Sequence, residues 1–224
     1  SEMLSMFFIH DGGDTSKWRL KGHAESEFWK WLCSWAVMVR RPSDLGYDNN
    51  GFSLPPVNYH SHVIPAKKPS NGMLFAMPAL DLVARRNARR DTTNDRCKMA
   101  AELVNDSSEP WVIWCDLNVE SDLLRRLIPD AIEVKGSDSN EHKEEAMIGF
   151  SDGKYRVMVS KPSICGFGMN WQHCNNMAFV GLSDSFESYY QATRRCWRFG
   201  QKNTVNVHII TSELEGAIVR NIQR

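Results

Sequence analysis

No sign of charge dominates this chain: 27 Lys and Arg stand against 27 Asp and Glu, so the formal net charge is zero. That excludes a uniformly basic nucleic-acid binder and leaves any contact with an anionic polymer to a local patch. No apolar run approaches the roughly 18–20 residues of a membrane span, and no secretory signal opens the sequence, so a soluble, cytoplasmic protein without membrane contact is expected. The six cysteines, Cys33, Cys97, Cys115, Cys165, Cys174 and Cys196, include no Cys-x-x-Cys pair and no zinc spacing. Several lie in apolar runs, where a thiol packs as a small hydrophobe, so they read as reduced and intracellular, with no metal site. The chain also lacks Gly-x-x-x-x-Gly-Lys-Ser/Thr, the loop whose backbone N–H groups and lysine cradle a triphosphate.

What is present, from about residue 110 onward, is an alternation of short apolar runs and amphipathic stretches. Trp111–Cys115, Ala131–Val134, Tyr155–Ser160, Met177–Gly181 and Val205–Ile210 read as strands. Between them, Val119–Leu127 carries Leu123, Leu124 and Leu127 at helical spacing, and a later helix turns Ala146, Met147 and Phe150 inward. Asp138-x-x-Glu141 and Asp184-x-x-Glu187 have capping-box spacing, and Ser212 is placed to cap a final helix through Ile222. Five strands interleaved with helices imply an α/β fold: a mostly parallel sheet covered on both faces.

The most informative stretch is Gln191-Ala-Thr-Arg-Arg-Cys-Trp-Arg-Phe-Gly-Gln201. A helical period gathers Gln191, Arg194, Arg195 and Arg198 on one side, and Gly200 is the residue a helix end favours in its left-handed position. Two readings follow from spacing. The arginines bind an anion, or they compensate the helix dipole by about 0.3–1 kcal/mol each on a solvated surface. Upstream, Lys161-Pro-Ser-Ile-Cys-Gly-Phe-Gly-Met-Asn-Trp171 follows a strand; its Gly-x-Gly-x-Asn core reads either as a tight turn or as a ligand loop at a strand end.

Together these motifs resemble the last two conserved motifs of superfamily-two helicases and translocases, in particular the Swi/Snf-like branch, with Gly166, Gly168 and Asn170 in register in the first of them. Lys161-Pro162 stands where the family has Ser-Thr, Cys165 where it has Gly, and Arg194 where it has Gly or Asp. The resemblance implies a RecA-like C-terminal lobe over residues 74–224. It implies that Arg195 and Arg198 reach the phosphates of ATP across an interdomain cleft, Arg198 as arginine finger, with Gln191, Gly166, Gly168 and Asn170 lining the nucleotide side. A planar, permanently charged guanidinium suits the charge that phosphoryl transfer spreads over the γ-phosphate oxygens. The family's magnesium-holding acidic tetrad, Asp-Glu-x-His or Asp-Glu-Ala-Asp, is missing like the phosphate loop. The resemblance assigns both, and most of the binding of ATP and Mg, to a preceding first lobe, so the chain is expected to be a C-terminal fragment of a longer protein. Nucleic acid, DNA in preference to RNA, is the implied partner, with Lys161 and Ser163 as contacts. The competing classes are a RecA-like module that binds nucleic acid or protein without catalysis, and a free-standing α/β enzyme, which the lack of a lysine-bearing phosphate loop disfavours.

Residues 1–73 read differently, as a helical connector or insertion between two lobes, such as helicases of this general type carry, phage-borne ones included. Ala24–Arg41 has the composition of an amphipathic helix, with Phe28, Trp31, Leu32, Trp35 and Val39 on one side, and four of the eight tryptophans fall between Trp18 and Trp35. Either these rings fill a core, or Trp18 or Trp29 stacks on bases. Arg85, Arg86, Arg89 and Arg90 stack by pairs on consecutive helical turns, as a phosphate-binding face through Arg85 and Arg89 or as a solvated one. His60-Ser-His62 and His173-Cys174 lack further ligands at metal spacing.

Overall fold

The computed structural model describes residues 2–11, 14–39, 41–65, 89–166, 168–182 and 185–213. The chain divides into two units, Ser1–Phe52 and Ser53–Arg224. In the larger unit the strands are β3 (Val57–Ile64), β4 (Trp111–Trp114), β5 (Ala131–Val134), β6 (Val157–Ser160), β7 (Asn176–Phe179) and β8 (Val205–Ser212). They form one sheet in the order β3-β8-β7-β4-β6-β5, and every pairing is parallel. The continuous apolar runs explain the centre: every residue of β4, β6 and β7 is buried, as a parallel strand covered on both faces requires.

Alternation along β4 sends Val112 and Trp114 to one face and Trp111 and Ile113 to the other. On the first face they meet Ala146 and Phe150 of α5 (Asn140–Ser151) and Tyr189 and Ala192 of α7 (Phe186–Thr193). On the second they meet Cys97, Ala100 and Val104 of α3 (Thr93–Asn105) and Leu124 of α4 (Asn118–Leu127). A one-turn helix, α6 (Pro162–Cys165), follows β6. The α/β, RecA-like sheet with helices on both faces is the fold expected from the strand pattern.

Several expectations move. The unit boundary lies between Phe52 and Ser53, and Val57–Ile64, expected in the connector, is the sheet's edge strand. Its side chains are exposed at five of eight positions, and the run from Asn58 to His62 hides it from a search for apolar runs. The α5 cap is Ser139, whose hydroxyl accepts from His142 N at 3.2 Å, while Asp138 accepts from Lys135 N at 2.7 Å. The α7 cap is Ser185, accepting from Ser188 N at 3.2 Å. Ser212 ends β8, and the helix expected after it lies outside the described residues from 214 on.

The smaller unit is less helical than its composition suggests. It holds α1 (Glu2–Phe7), an antiparallel hairpin of β1 (Phe8–Asp11) and β2 (Asp14–Leu20), and α2 (Glu25–Cys33), which stops well short of Arg41. Phe7, Phe28 and Trp31 form its apolar centre with ring centroids 5.5–6.1 Å apart.

Candidate functional site

Parallel sheets place ligands beyond the carboxyl ends of their strands. Here the loops after β4, β5, β6 and β7 enclose two hollows that share Lys161 and Ser163. One, of about 260 Å³, is bordered also by Cys115, Asp116, Pro162, Gly181 and Ser188. The other, of about 290 Å³, is bordered by Asn118, Lys135, Gly136, Ser137 and Ile164. Pro162 opens α6, where its missing N–H costs no hydrogen bond, and Ser163 is exposed.

The two loop glycines are needed for different reasons. Gly168 takes a positive φ of 82°, the conformation expected of a tight turn. Gly166 does not; a Cβ there would lie 2.1 Å from the Pro162 carbonyl oxygen, which accepts the Gly166 N–H at 2.8 Å. Glycine therefore lets α6 close on itself. Asn170 is exposed at the loop's end.

Beyond Thr193 the α-helix gives way to tight turns, so Arg195 and Arg198 sit past the helix end and not in its last turn. Arg195 is 8% exposed. Its Nε donates to the Gln191 carbonyl at 3.0 Å and one terminal nitrogen to the Met169 carbonyl at 3.1 Å, while the other lies 3.4 Å from the Gln191 side-chain oxygen. Arg198, half-buried, donates to the same Met169 carbonyl at 3.1 Å. Trp171 N, two residues on, donates to the Arg195 carbonyl at 2.9 Å. Thus Gln191, Arg195 and Arg198 do come together, and they converge on the glycine loop. Among the described residues neither arginine pairs with a carboxylate. Burial first, and the neighbouring Arg198 charge second, push the Arg195 guanidinium below its usual range. Arg194, the departure from the family pattern, lies over the Trp197 and Tyr190 rings at 5.2 and 5.9 Å.

Lys161 and Ser163 belong to the hollows, which neither Arg195 nor Arg198 borders. Arg85 lies outside the described residues. Arg89 is 4% exposed and its guanidinium meets the Asp116 carboxylate at 3.1 Å, so it faces the protein and offers no phosphate-binding surface. That placement takes Arg89 out of the exposed arginine face expected from helical spacing, while Arg90 is exposed.

Sequence reasoning also missed a buried network beneath the strand ends. Arg96 and Glu120, both fully buried, pair at 2.7 Å. Glu120 Oε2 accepts the backbone N–H groups of Asp116 and Leu117, each at 2.9 Å. Arg96 donates to the Thr92 hydroxyl at 3.1 Å, the Arg89 carbonyl at 2.6 Å and the Val180 carbonyl. The ends of β4 and β7 are thereby tied to α3. Arg96 and Glu120 stand on two different helices and give no periodic signal for this, because their burial is decided by the sheet above them.

At the sheet edge the rings of His60 and His62 stack on His208 at 4.5 and 5.2 Å, and His62 Nε2 lies 3.0 Å from His208 Nδ1. Burial, then the charges of His60 and His62, lower the His208 pKa to about 4. Among the described residues no group of three or more His, Cys, Asp or Glu is arranged to hold a metal ion, and no helix is long and apolar enough to cross a membrane.

Residues 96–200 match the family described as helicase conserved C-terminal domain. Over this segment the chain is similar to the C-terminal lobe of superfamily-two helicases. The chain is also similar to the TATA-binding protein-associated factor mot1 of two Aspergillus fumigatus strains, 28% identical over 123 residues. That match takes in 50% of this chain and 6% of the relative's length, so the chain spans a small part of that protein. In fold the lobe resembles the C-terminal part of the Fun30 ATPase domain, with a TM-score of 0.51 and 20% identity over 60% of this chain and 46% of that one. A DEAD box protein from Methanococcus jannaschii matches with a TM-score of 0.50 and 20% identity, over 58% of this chain and 36% of that one.

Proposed function

We propose that the chain supplies the C-terminal motor lobe of an ATP-dependent nucleic-acid helicase or translocase. In this reading a first RecA-like lobe of the same polypeptide holds ATP and Mg, and closure of the cleft brings Arg195 and Arg198 onto the γ-phosphate while Gln191 holds Arg195 in place. The observation that carries it is the pairing state of the two arginines. Both guanidiniums rest on one neutral carbonyl, that of Met169, with no carboxylate partner among the described residues. A carbonyl orients a guanidinium without cancelling its charge, which stays available to an oxyanion. Bound ATP supplies the γ-phosphoryl group that is transferred to water as ADP leaves, and this chain's part is to neutralise charge on its oxygens. Lys161 and Ser163, shared by both strand-end hollows, are the nucleic-acid contacts.

The decisive experiment is ATP turnover by a polypeptide carrying both lobes. Arg198→Ala should lower it by about 10³–10⁵, the worth of an arginine finger, with the thermal midpoint nearly unchanged. The present chain alone should show negligible hydrolysis. Ordinary turnover by the variant would overturn the arginine-finger role, and vigorous turnover by the chain alone would overturn the need for a first lobe.

A further inference from the structure

The 260 Å³ hollow has a chemical peculiarity that a phosphate track alone does not explain. Its rim carries the Lys161 ammonium and the hydroxyls of Ser163 and Ser188, all suited to a phosphate, yet it also carries the Asp116 carboxylate. That carboxylate is held in place by the fold. Its backbone N–H is gripped by the buried Glu120, and Arg89 donates to Oδ2 at 3.1 Å. The position opposite, just past β7, must be glycine to admit it: a Cβ on Gly181 would lie 2.9 Å from the Asp116 Cβ and 2.7 Å from Glu120 Oε2. An acceptor-only group beside a phosphate site repels the phosphate unless the ligand also presents a hydrogen-bond donor.

The geometry points to Asp116 as a specificity-determining residue that accepts a hydrogen bond from a donor group of the nucleotide whose phosphate Lys161 holds. This rests on the nucleic-acid reading of Lys161 and Ser163 given above. Two donors sit close enough to a backbone phosphate: the ribose 2′-hydroxyl, which distinguishes RNA from DNA, and a base exocyclic amine. With N3 methylated in the thymine and uracil polymers, so that their ring N–H is no donor, oligo(dT) offers neither, oligo(dC) only the amine and oligo(rU) only the hydroxyl, and the three polymers separate the sources.

The test is fluorescence-anisotropy titration of the chain, at low salt because phosphate contacts are salt-sensitive. Ligands are these three 12-mers and the donor-blocked counterparts, 2′-O-methyl oligo(rU) and N4-dimethyl oligo(dC). Oligo(dC) or oligo(rU) should bind roughly 10- to 150-fold more tightly than oligo(dT), the worth of one hydrogen bond to a charged acceptor, and its methylated counterpart should lose that advantage. Asp116→Ala, made with Arg89→Met so that no guanidinium is orphaned, should collapse the ratio to near one. Should that variant unfold on thermal scanning, the blocked ligands decide on the unaltered protein. Equal binding of all three polymers, an advantage that survives methylation, or a ratio that persists in a folded variant overturns the inference. Lys161→Gln separates the two levels. If it weakens all three polymers while they bind equally, the track stands and the role of Asp116 falls. If it weakens none, the nucleic-acid reading itself falls.

Discussion

Trp171 and Trp35 are the same residue put to opposite ends. Trp171, in the sheet unit, is fully buried, stacked with Trp114 at a centroid distance of 6.0 Å, edge-on to Phe150 at 5.2 Å, and donates to the Ser151 hydroxyl at 3.0 Å. Trp35, in the N-terminal unit, is 63% exposed, and Trp29 is 51% exposed. The smaller unit has as many tryptophans to bury, four in each, but among its described residues only a two-stranded hairpin and α-helices of six and nine residues to bury them with. A two-layer core needs an element with a second face to cover, and a lone hairpin provides little. Aromatic content predicts burial only where the sheet supplies an interior.

The sharpest way to break the contrast is to remove Glu120. Glu120→Ala leaves the buried Arg96 guanidinium without its counter-charge and should cost about 3–5 kcal/mol, read as a lower denaturant midpoint. An unfolding free energy within about 1 kcal/mol of the unaltered protein would show that this network contributes little to the larger unit. Trp171→Ala should cost a similar or slightly smaller amount, about 3–5 kcal/mol, from lost contacts and the cavity left behind. A third change acts on the edge of the same sheet. The His208 pKa, lowered to about 4 in the fold from 6.5, means that the unfolded chain binds the proton first. Stability is therefore full above about pH 6.5 and falls as pH drops towards 4. Discounted for the ring's partial exposure to solvent, the loss is about 1–2 kcal/mol. Thermal midpoints at pH 7 and 5 measure it, and His208→Asn should flatten the difference. The smallest effect belongs to Trp35→Ala, expected within about 0.5 kcal/mol because the ring is already in water. A large loss there would mean the N-terminal unit has a hidden partner for that surface.

The same contrast shows which parts of the molecule were legible in its residues. Strands β4 to β8 were: β4, β6 and β7 because a parallel strand buried on both faces is written as an apolar run, and β8 because Val205, Val207 and Ile209 alternate with polar residues. Strand β3 was not, since an edge strand with exposed His60, Ser61 and Tyr59 carries no such run. Capping boxes at Asp138 and Asp184 were misplaced by one residue because an adjacent serine offers the same chemistry and the backbone chose it. At the site, the meeting of Gln191, Arg195 and Arg198 followed from spacing, whereas their common acceptor did not: a Met169 carbonyl has no side-chain signature. Arg89 shows the converse failure. Helical spacing made it one of a row of like charges, and only the sheet end, with Asp116 waiting there, turned it inward.

The Met169 carbonyl acts as a pin through two levers. Two guanidiniums hang from it, and Trp171 fastens the adjoining backbone to Arg195. A polymer that tugs residues 161–171 must therefore drag the cationic pair with it or snap two charge-assisted contacts, each worth about 1.5–3 kcal/mol.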